Sequence, residues 1–301
     1  FEKMLYDQAL LLRVYTHAAV LFKSETYKQI CSEIIEYVFR DLRHPDGGFF
    51  SAEDADSLDD QGHSHEGHFY VFTPDQLRTI LSPDEFEVAC DHYEITQTGN
   101  FEGKNIPSRL NHRGDFKRSP KIDAIRAKIF NARNQRTRPL LDDKVLTEWN
   151  AMMTASLVET ATLFNEPTWL LVAEQNGEFL YQQLRVLDHE SKRFFWKRSW
   201  QESGEPQARH RALAADLAHL IDAFTRLGEA TGKAIWISRA CEVADELVAN
   251  YWDETNGGLF TIAQDGEQLI VRQKDLLDNA TPSANSTAAN ALLKPLPVAL
   301  L

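Results

Sequence analysis

Apolar residues recur along this 301-residue chain at alternating steps of three and four, in segments that come two at a time. Leu5, Ala9, Leu12, Thr16 and Ala19 form one stripe, and Cys31, Ile34, Val38 and Leu42 form the next after Ser24. Met153, Leu157, Thr160 and Phe164 repeat the spacing, as do Leu213, Leu217, Leu220, Phe224 and Leu227, then Trp236, Ala240, Val243 and Leu247. This period predicts amphipathic helices, each with one face to bury. Leu170 to Leu187 is also read as helical, although Asn176 and Gly177 interrupt its stripe. After the second helix of several pairs comes a turn and a short apolar strand: Asp46-Gly47-Gly48-Phe49-Phe50, Lys192-Arg193-Phe194-Phe195-Trp196 and Asn256-Gly257-Gly258-Leu259-Phe260. A repeated helix-helix-loop unit buries its apolar face only against its neighbours. A solenoid or a ring of hairpins would satisfy that. Long loops that can gather at one end favour the ring, an all-α alpha/alpha toroid with short β-hairpins in its loops.

Residues 46 to 140 depart from the pattern and read as an elaborate loop insertion within this partial alpha/alpha barrel, with a separate small domain as the alternative. There His68 to Phe72 is expected as a strand paired with Gly48 to Ala52, Thr73-Pro74-Asp75 as the cap of a short helix, and Asp115 to Thr137 as a charged helix. The chain opens at Phe1, inside a helical pattern, and is expected to be a piece of a longer protein.

Lys and Arg number 32 against 45 Asp and Glu, a net charge of −13. With no basic run, nucleic acid and anionic membrane surfaces are not expected partners. No apolar run approaches the roughly 18 residues of a bilayer-spanning helix, and no signal peptide is evident. Cys31, Cys90 and Cys241 lie far apart, as buried thiols of a reducing compartment do, so a cytoplasmic location is expected.

Several polar clusters stand out as candidate chemistry. Glu53, Asp54 and Asp56 crowd one loop after the Gly47-Gly48 turn, and crowded carboxylates push one pKa upward, as a general acid requires. Its plainer reading is a solvated surface loop. His63, His65, Glu66 and His68 offer an H-x-H pair, but the glycine- and serine-bearing loop reads as a solvated tip and no metal site is assigned. Gly99 to Asn105 lacks the spacing and the Ser/Thr of a phosphate-binding loop, and no cofactor is assigned. Asp142 and Asp143 precede Trp149 and Asn150 at a helix start. They can cap the helix, or together supply acid/base groups, a stacking surface and an amide suited to a sugar ring. Asp216, His219 and Asp222, three residues apart, could border a central cavity. Asp278, Ser283 and Asn285 belong to a polar loop that ends in a capped helix.

Phe1 to Asp7, Gly47 to Ser57, Glu66-Gly67 with Phe69 to Val71, Gly99 to Ile106, Asp142 to Asn150 and Ala280 to Ser286 together resemble the YyaL-like, or spermatogenesis-associated protein 20, family of thioredoxin-domain-containing proteins. The resemblance implies a six-hairpin glycosidase-like barrel, similar to that of acylglucosamine epimerases. A thioredoxin-like domain would precede it in the full-length protein, and only about half to two thirds of the ring would be present here. Ala215 stands where the family pattern has Glu, and Ala284 where it has Gly. Lys294-Pro295-Leu296-Pro297 should stop a helix that the family continues.

The expected function is carbohydrate-related: isomerisation or hydrolysis of a saccharide by carboxylate acid/base chemistry. Asp54, Asp56, Asp142, Asp143 and Asp216 are the candidate proton donors and acceptors. Glu53, Trp149, Asn150, Asp278, Ser283 and Asn285 are the candidate substrate-binding residues. The alternative is a non-catalytic scaffold or binding module whose partner is the thioredoxin-like domain of the same protein.

Overall fold

The computed structural model describes residues 1–114, 117–189, 192–202, 207–267 and 270–294. Among them ten α-helices follow in order: α1 (Leu5–Phe22), α2 (Glu25–Asp41), α3 (Pro74–Ile80), α4 (Pro83–His92), α5 (Pro120–Arg133), α6 (Thr147–Phe164), α7 (Pro167–Gln183), α8 (Ala214–Thr231), α9 (Ala234–Tyr251) and α10 (Ala284–Leu292). Short strands are interspersed: β1 (Lys3–Met4), β2 (Ala52–Glu53), β3 (Asp56–Leu58), β4 (Ser64–Glu66), β5 (Leu141–Asp142), β6 (Val145–Leu146), β7 (Arg185–Leu187), β8 (Phe194–Gln201) and β9 (Gln207–Arg211). The chain divides into two compact units, Phe1–Lys3 with Glu53–Leu141, and Met4–Ala52 with Asp142–Leu301.

In the larger unit α6 packs between α1 and α8, and α8 packs on α10, while α2, α7 and α9 each lie against the helix before them. The inner helices run in one direction. Tyr6 meets Trp149 at the starts of α1 and α6, with ring centroids 4.9 Å apart, and Thr16 and Thr160 share a 2.7 Å hydrogen bond farther along. The backbone N–H of Glu148 donates to Asp216 at the starts of α6 and α8, and Arg226 lies 3.4 Å from Glu159 nearer their ends. Helical hairpins thus form two layers, inner and outer. Enclosed by α1, α7 and α8, most of α6 from Thr147 to Ala161 is buried. Its Ala151, Ala155, Ser156 and Ala161 present little bulk to these neighbours, so the single stripe read from the sequence understates its burial.

Asn176 and Gly177 do not break α7. A Cβ at Gly177 would lie 2.7 Å from Leu227 and 2.9 Å from the ring of Trp236, so its absence lets α7 approach α8 and α9. Asn176 donates to the carbonyl of Gly47 at 2.9 Å and to Asn150 at 3.0 Å, while its own carbonyl accepts from Thr154. Both interruptions of the stripe therefore pay for packing. The strands β7, β8 and β9 are antiparallel, and β6 adds to the edge of β8.

In the smaller unit, proline at the first turn starts α3, α4 and α5. Thr73 accepts the N–H of Gln76 at 3.2 Å while Gln76 accepts that of Thr73 at 2.9 Å, a reciprocal cap that Ser82 and Glu85 repeat on α4. Leu81, Ala89, Ile122 and Ile125 form a small core. The expected strand from His68 to Phe72 is not formed. Tyr70 and Val71 turn back onto the carbonyl of Gly67, and Phe72 makes an isolated bridge with Asn105. The expected charged helix is confined to α5, and Asp115, where it was expected to begin, lies outside the described residues. α10 ends at Leu292, and Pro295 and Pro297 lie outside the described residues too.

Candidate active site

Two of the repeated turns are held by one device. At Gly47 φ is +111°, a conformation glycine adopts at little cost, and the amide of Asn150 on α6 then takes up both backbone groups of Phe49, accepting its N–H at 2.8 Å and donating to its carbonyl at 2.9 Å. In the corresponding turn φ at Gly257 is +70°, and Asn285 on α10 accepts the N–H of Leu259 at 2.7 Å and donates to its carbonyl at 3.0 Å. Asn150 also donates to Leu146, and Asn285 to the carbonyl of Asp275. Both amides, expected to orient substrate hydroxyls, are engaged in holding backbone. Ser283, expected in the same role, is 1% exposed and caps α10, accepting the N–H of Ser286 at 3.2 Å.

Other sequence candidates are placed as follows. Asp142 forms a 2.8 Å ion pair with Lys144. Partial burial pushes its carboxyl up, but Lys144 and Ser51 outweigh this and hold it below the ordinary carboxylate range. It is ionised at neutral pH, a state that suits a base rather than an acid. Asp143 accepts from Gln201 at 2.6 Å, and half-buried Trp149 packs on Tyr6. Asp278 is exposed and accepts the N–H of Ser283 at 2.9 Å. Glu53, Asp54 and Asp56 belong to the smaller unit. There Glu53 is buried and paired with Arg138, exposed Asp54 accepts the N–H of Asp56, and Asp56 accepts from Ser64 at 3.1 Å.

Asp216 is wholly buried, and its two oxygens accept the backbone N–H groups of Glu148 at 3.0 Å and Leu213 at 2.7 Å. It joins the starts of α6 and α8 and has no surface with which to touch a ligand. Burial pushes its carboxyl up to about 7, and Glu148 adds to this against the pull of Arg198 and the two amides. Glu148, 8% exposed, is likewise raised by burial, with Arg198 and Thr281 opposing and Asp275 adding. The charge of Arg198 acts on both acids. Side chains alternate along a strand, so Arg198 shares a face of β8 with Trp196 and Trp200, both buried. Sequence reasoning named neither Glu148 nor Arg198. The signal for Arg198 was present: a Trp-x-Arg-x-Trp strand puts a guanidinium in the apolar register.

Beyond these helix starts lies a cavity of about 470 Å³ bordered by Arg13, His219, Asp222, Asp278, Asn290 and Lys294, with Ser286 and Thr287 adding hydroxyls. Asp222 is held by Arg226 at 3.1 Å and Lys294 at 2.5 Å, with Arg13 3.9 Å away. Burial raises its carboxyl, but these cations prevail and keep it low. Burial drives His219 down to about 4, so it is neutral at pH 7 despite Asp222. Its Nε2 has no hydrogen-bonding partner among the described residues. An orphaned buried nitrogen costs about 1–3 kcal/mol. The sequence spacing of Asp216, His219 and Asp222 thus places one member in the helix junction and two at a cavity.

The structure of cellobiose 2-epimerase from Spirochaeta thermophila superposes on 89% of this chain and 48% of its own with a TM-score of 0.52, at 12% identity. That of cellobiose 2-epimerase from Bacillus thermoamylovorans covers 98% of this chain and 56% of its own, with a TM-score of 0.53 at 11% identity. The fold is that of the alpha/alpha toroids, in its six-hairpin glycosidase-like form. In sequence the chain is similar to spermatogenesis-associated protein 20: it is 30% identical to the human protein over 98% of its own length. The mouse protein matches equally, and an uncharacterized protein of Caenorhabditis elegans is 30% identical over 98% of the chain. The chain spans 41% of the length of the human and mouse relatives. No protein-family model matches it. Among the described residues, no helix is long and apolar enough to cross a membrane.

Proposed function

We propose that the cavity beside His219 binds a saccharide and that the protein isomerises or epimerises it. The observation that carries this reading is a neutral imidazole bordering a polar, hydroxyl-lined cavity, its buried Nε2 without a hydrogen-bonding partner among the described residues. Turned so that this nitrogen meets the cavity, a neutral imidazole accepts the proton from the carbon beside the carbonyl of an open-chain sugar and returns it to the opposite face or the adjacent carbon. Arg13 and Lys294 are the cations available where negative charge develops on the sugar oxygen. Hydrolysis would need one protonated and one ionised carboxyl across the scissile bond, whereas Asp222 is ion-paired and held low. The two superposed structures being cellobiose 2-epimerases supports the same class.

The test is incubation with reducing sugars in D2O, followed by NMR. Deuterium should enter beside the carbonyl of one sugar class, at least about a hundredfold more slowly in His219→Gln. If a sugar raises the melting temperature but no exchange occurs, the cavity binds without turnover. The protein is then a binding module, for which Ala215 in place of the family's Glu already speaks and whose partner would be a thioredoxin-like domain of the longer protein.

A further inference from the structure

The hairpin of β3 and β4, which the sequence presents as a solvated tip, carries a preformed donor set. Its register pairs Asp56 with Glu66, Ser57 with His65 and Leu58 with Ser64, leaving Asp59 to His63 as the closing loop. The N–H of Asp59 donates to the carbonyl of His63 and the N–H of Gly62 to that of Asp59, at 2.9 and 3.0 Å. Gly62, with φ +83°, permits this tight closure. One oxygen of Asp59, Oδ1, accepts the N–H groups of Gln61 and His63, each at 2.9 Å. Those bonds orient the carboxylate and leave Oδ2 to face two imidazoles. His65 Nε2 is 3.1 Å from it and His63 Nδ1 3.6 Å. All three donor atoms lie within 4.8 Å of one another.

Ligand atoms held about 2.0–2.1 Å from a tetrahedral zinc ion are separated from one another by about 3.3–3.4 Å. The two measured separations bracket that spacing, so an ion could settle among the three groups with side-chain adjustments alone. Two imidazoles and one carboxylate suit zinc and its divalent neighbours. Backbone amides on the far oxygen supply the outer support that metal-bound carboxylates use. We propose that Asp59, His63 and His65 bind a divalent transition metal of the zinc type, with water completing the coordination. The site lies wholly within the smaller unit and is independent of the proposed sugar chemistry.

The test is calorimetric titration of the chelator-treated protein with Zn²⁺, repeated with His63→Ala/His65→Ala and with Asp59→Asn. One equivalent should bind to the wild type, at least about tenfold more weakly to Asp59→Asn and without measurable stoichiometric binding to the double variant. Co²⁺ in place of Zn²⁺ should give a visible absorption band that the double variant lacks. Because the tip is exposed, unchanged circular dichroism is expected in both variants, and the metal readouts then stand on folded protein. Absence of stoichiometric binding by the wild type overturns the proposal. So does equal binding by the double variant, which would place the metal on other histidines.

Discussion

Two buried groups on one helix titrate in opposite senses. His219 at about 4 lies below its ordinary 6.5, so between those values the unfolded chain binds the extra proton and stability falls as the solution is acidified. Asp216 at about 7 lies above its ordinary 3.8, so between those values the fold binds the extra proton and stability falls as pH rises through 7. Glu246, also raised to about 7 by burial, acts in the same direction as Asp216. The contributions oppose one another from pH 4 to 6.5. His219→Gln removes the acid-side loss, so its melting temperature relative to the wild type should rise steadily as pH is lowered from 6.5 to 4. Parallel melting profiles would show that His219 does not titrate as the burial argument requires.

At the scale of elements, the paired asparagines permit a controlled comparison. Asn150→Ala strands both backbone groups of Phe49 in a fully buried setting, a loss of about 2–4 kcal/mol. Asn285→Ala removes the same contacts from Leu259 where the asparagine is half-buried, so water can replace part of the loss and about 1–2 kcal/mol is expected. Denaturant unfolding of both variants checks the order; an equal or inverted loss would show that burial of the amide does not set its cost. The recurrence of Gly-Gly turns was legible in the sequence because glycine marks positive φ, and the helices were legible from their period. The use of Asn150 and Asn285 was not, because an amide has the same composition whether it faces a ligand or a carbonyl. Arg198 was hidden for a related reason: its meaning depends on a strand register that positions 194 to 201 reveal only once Trp196 and Trp200 are known to point inward.

At the scale of the whole helical unit, a charge network joins the inner layer from within. Glu159 on α6 receives His17 at 2.7 Å and Arg13 at 3.0 Å from α1, and Arg226 at 3.4 Å from α8. Asp222 shares Arg226 and adds Lys294, just beyond α10. Glu159→Gln leaves two part-buried guanidinium groups under-compensated, with an expected loss of about 1–3 kcal/mol, less than for a wholly buried pair because these groups keep some water. Chemical denaturation at low and high salt measures it; a loss below about 0.5 kcal/mol would reduce the network to surface decoration. Periodicity told which helices bury apolar faces, but it could not tell that polar residues on α1, α6 and α8 meet one another, since that depends on parallel inner helices set side by side.

The chain leaves the helical unit after Ala52 and returns at Asp142, and there both the N–H and the hydroxyl of Ser51 donate to the carbonyl of Asp142 at 3.1 Å. Departure and return thus run side by side, β2 pairing with β5. An excursion whose ends already touch imposes no geometric demand on the hairpins it interrupts, so its length and content can change while the helical scaffold keeps its register. The hairpin bearing Asp59, His63 and His65 sits within that excursion, so changes to its donor set need not disturb the helical hairpins.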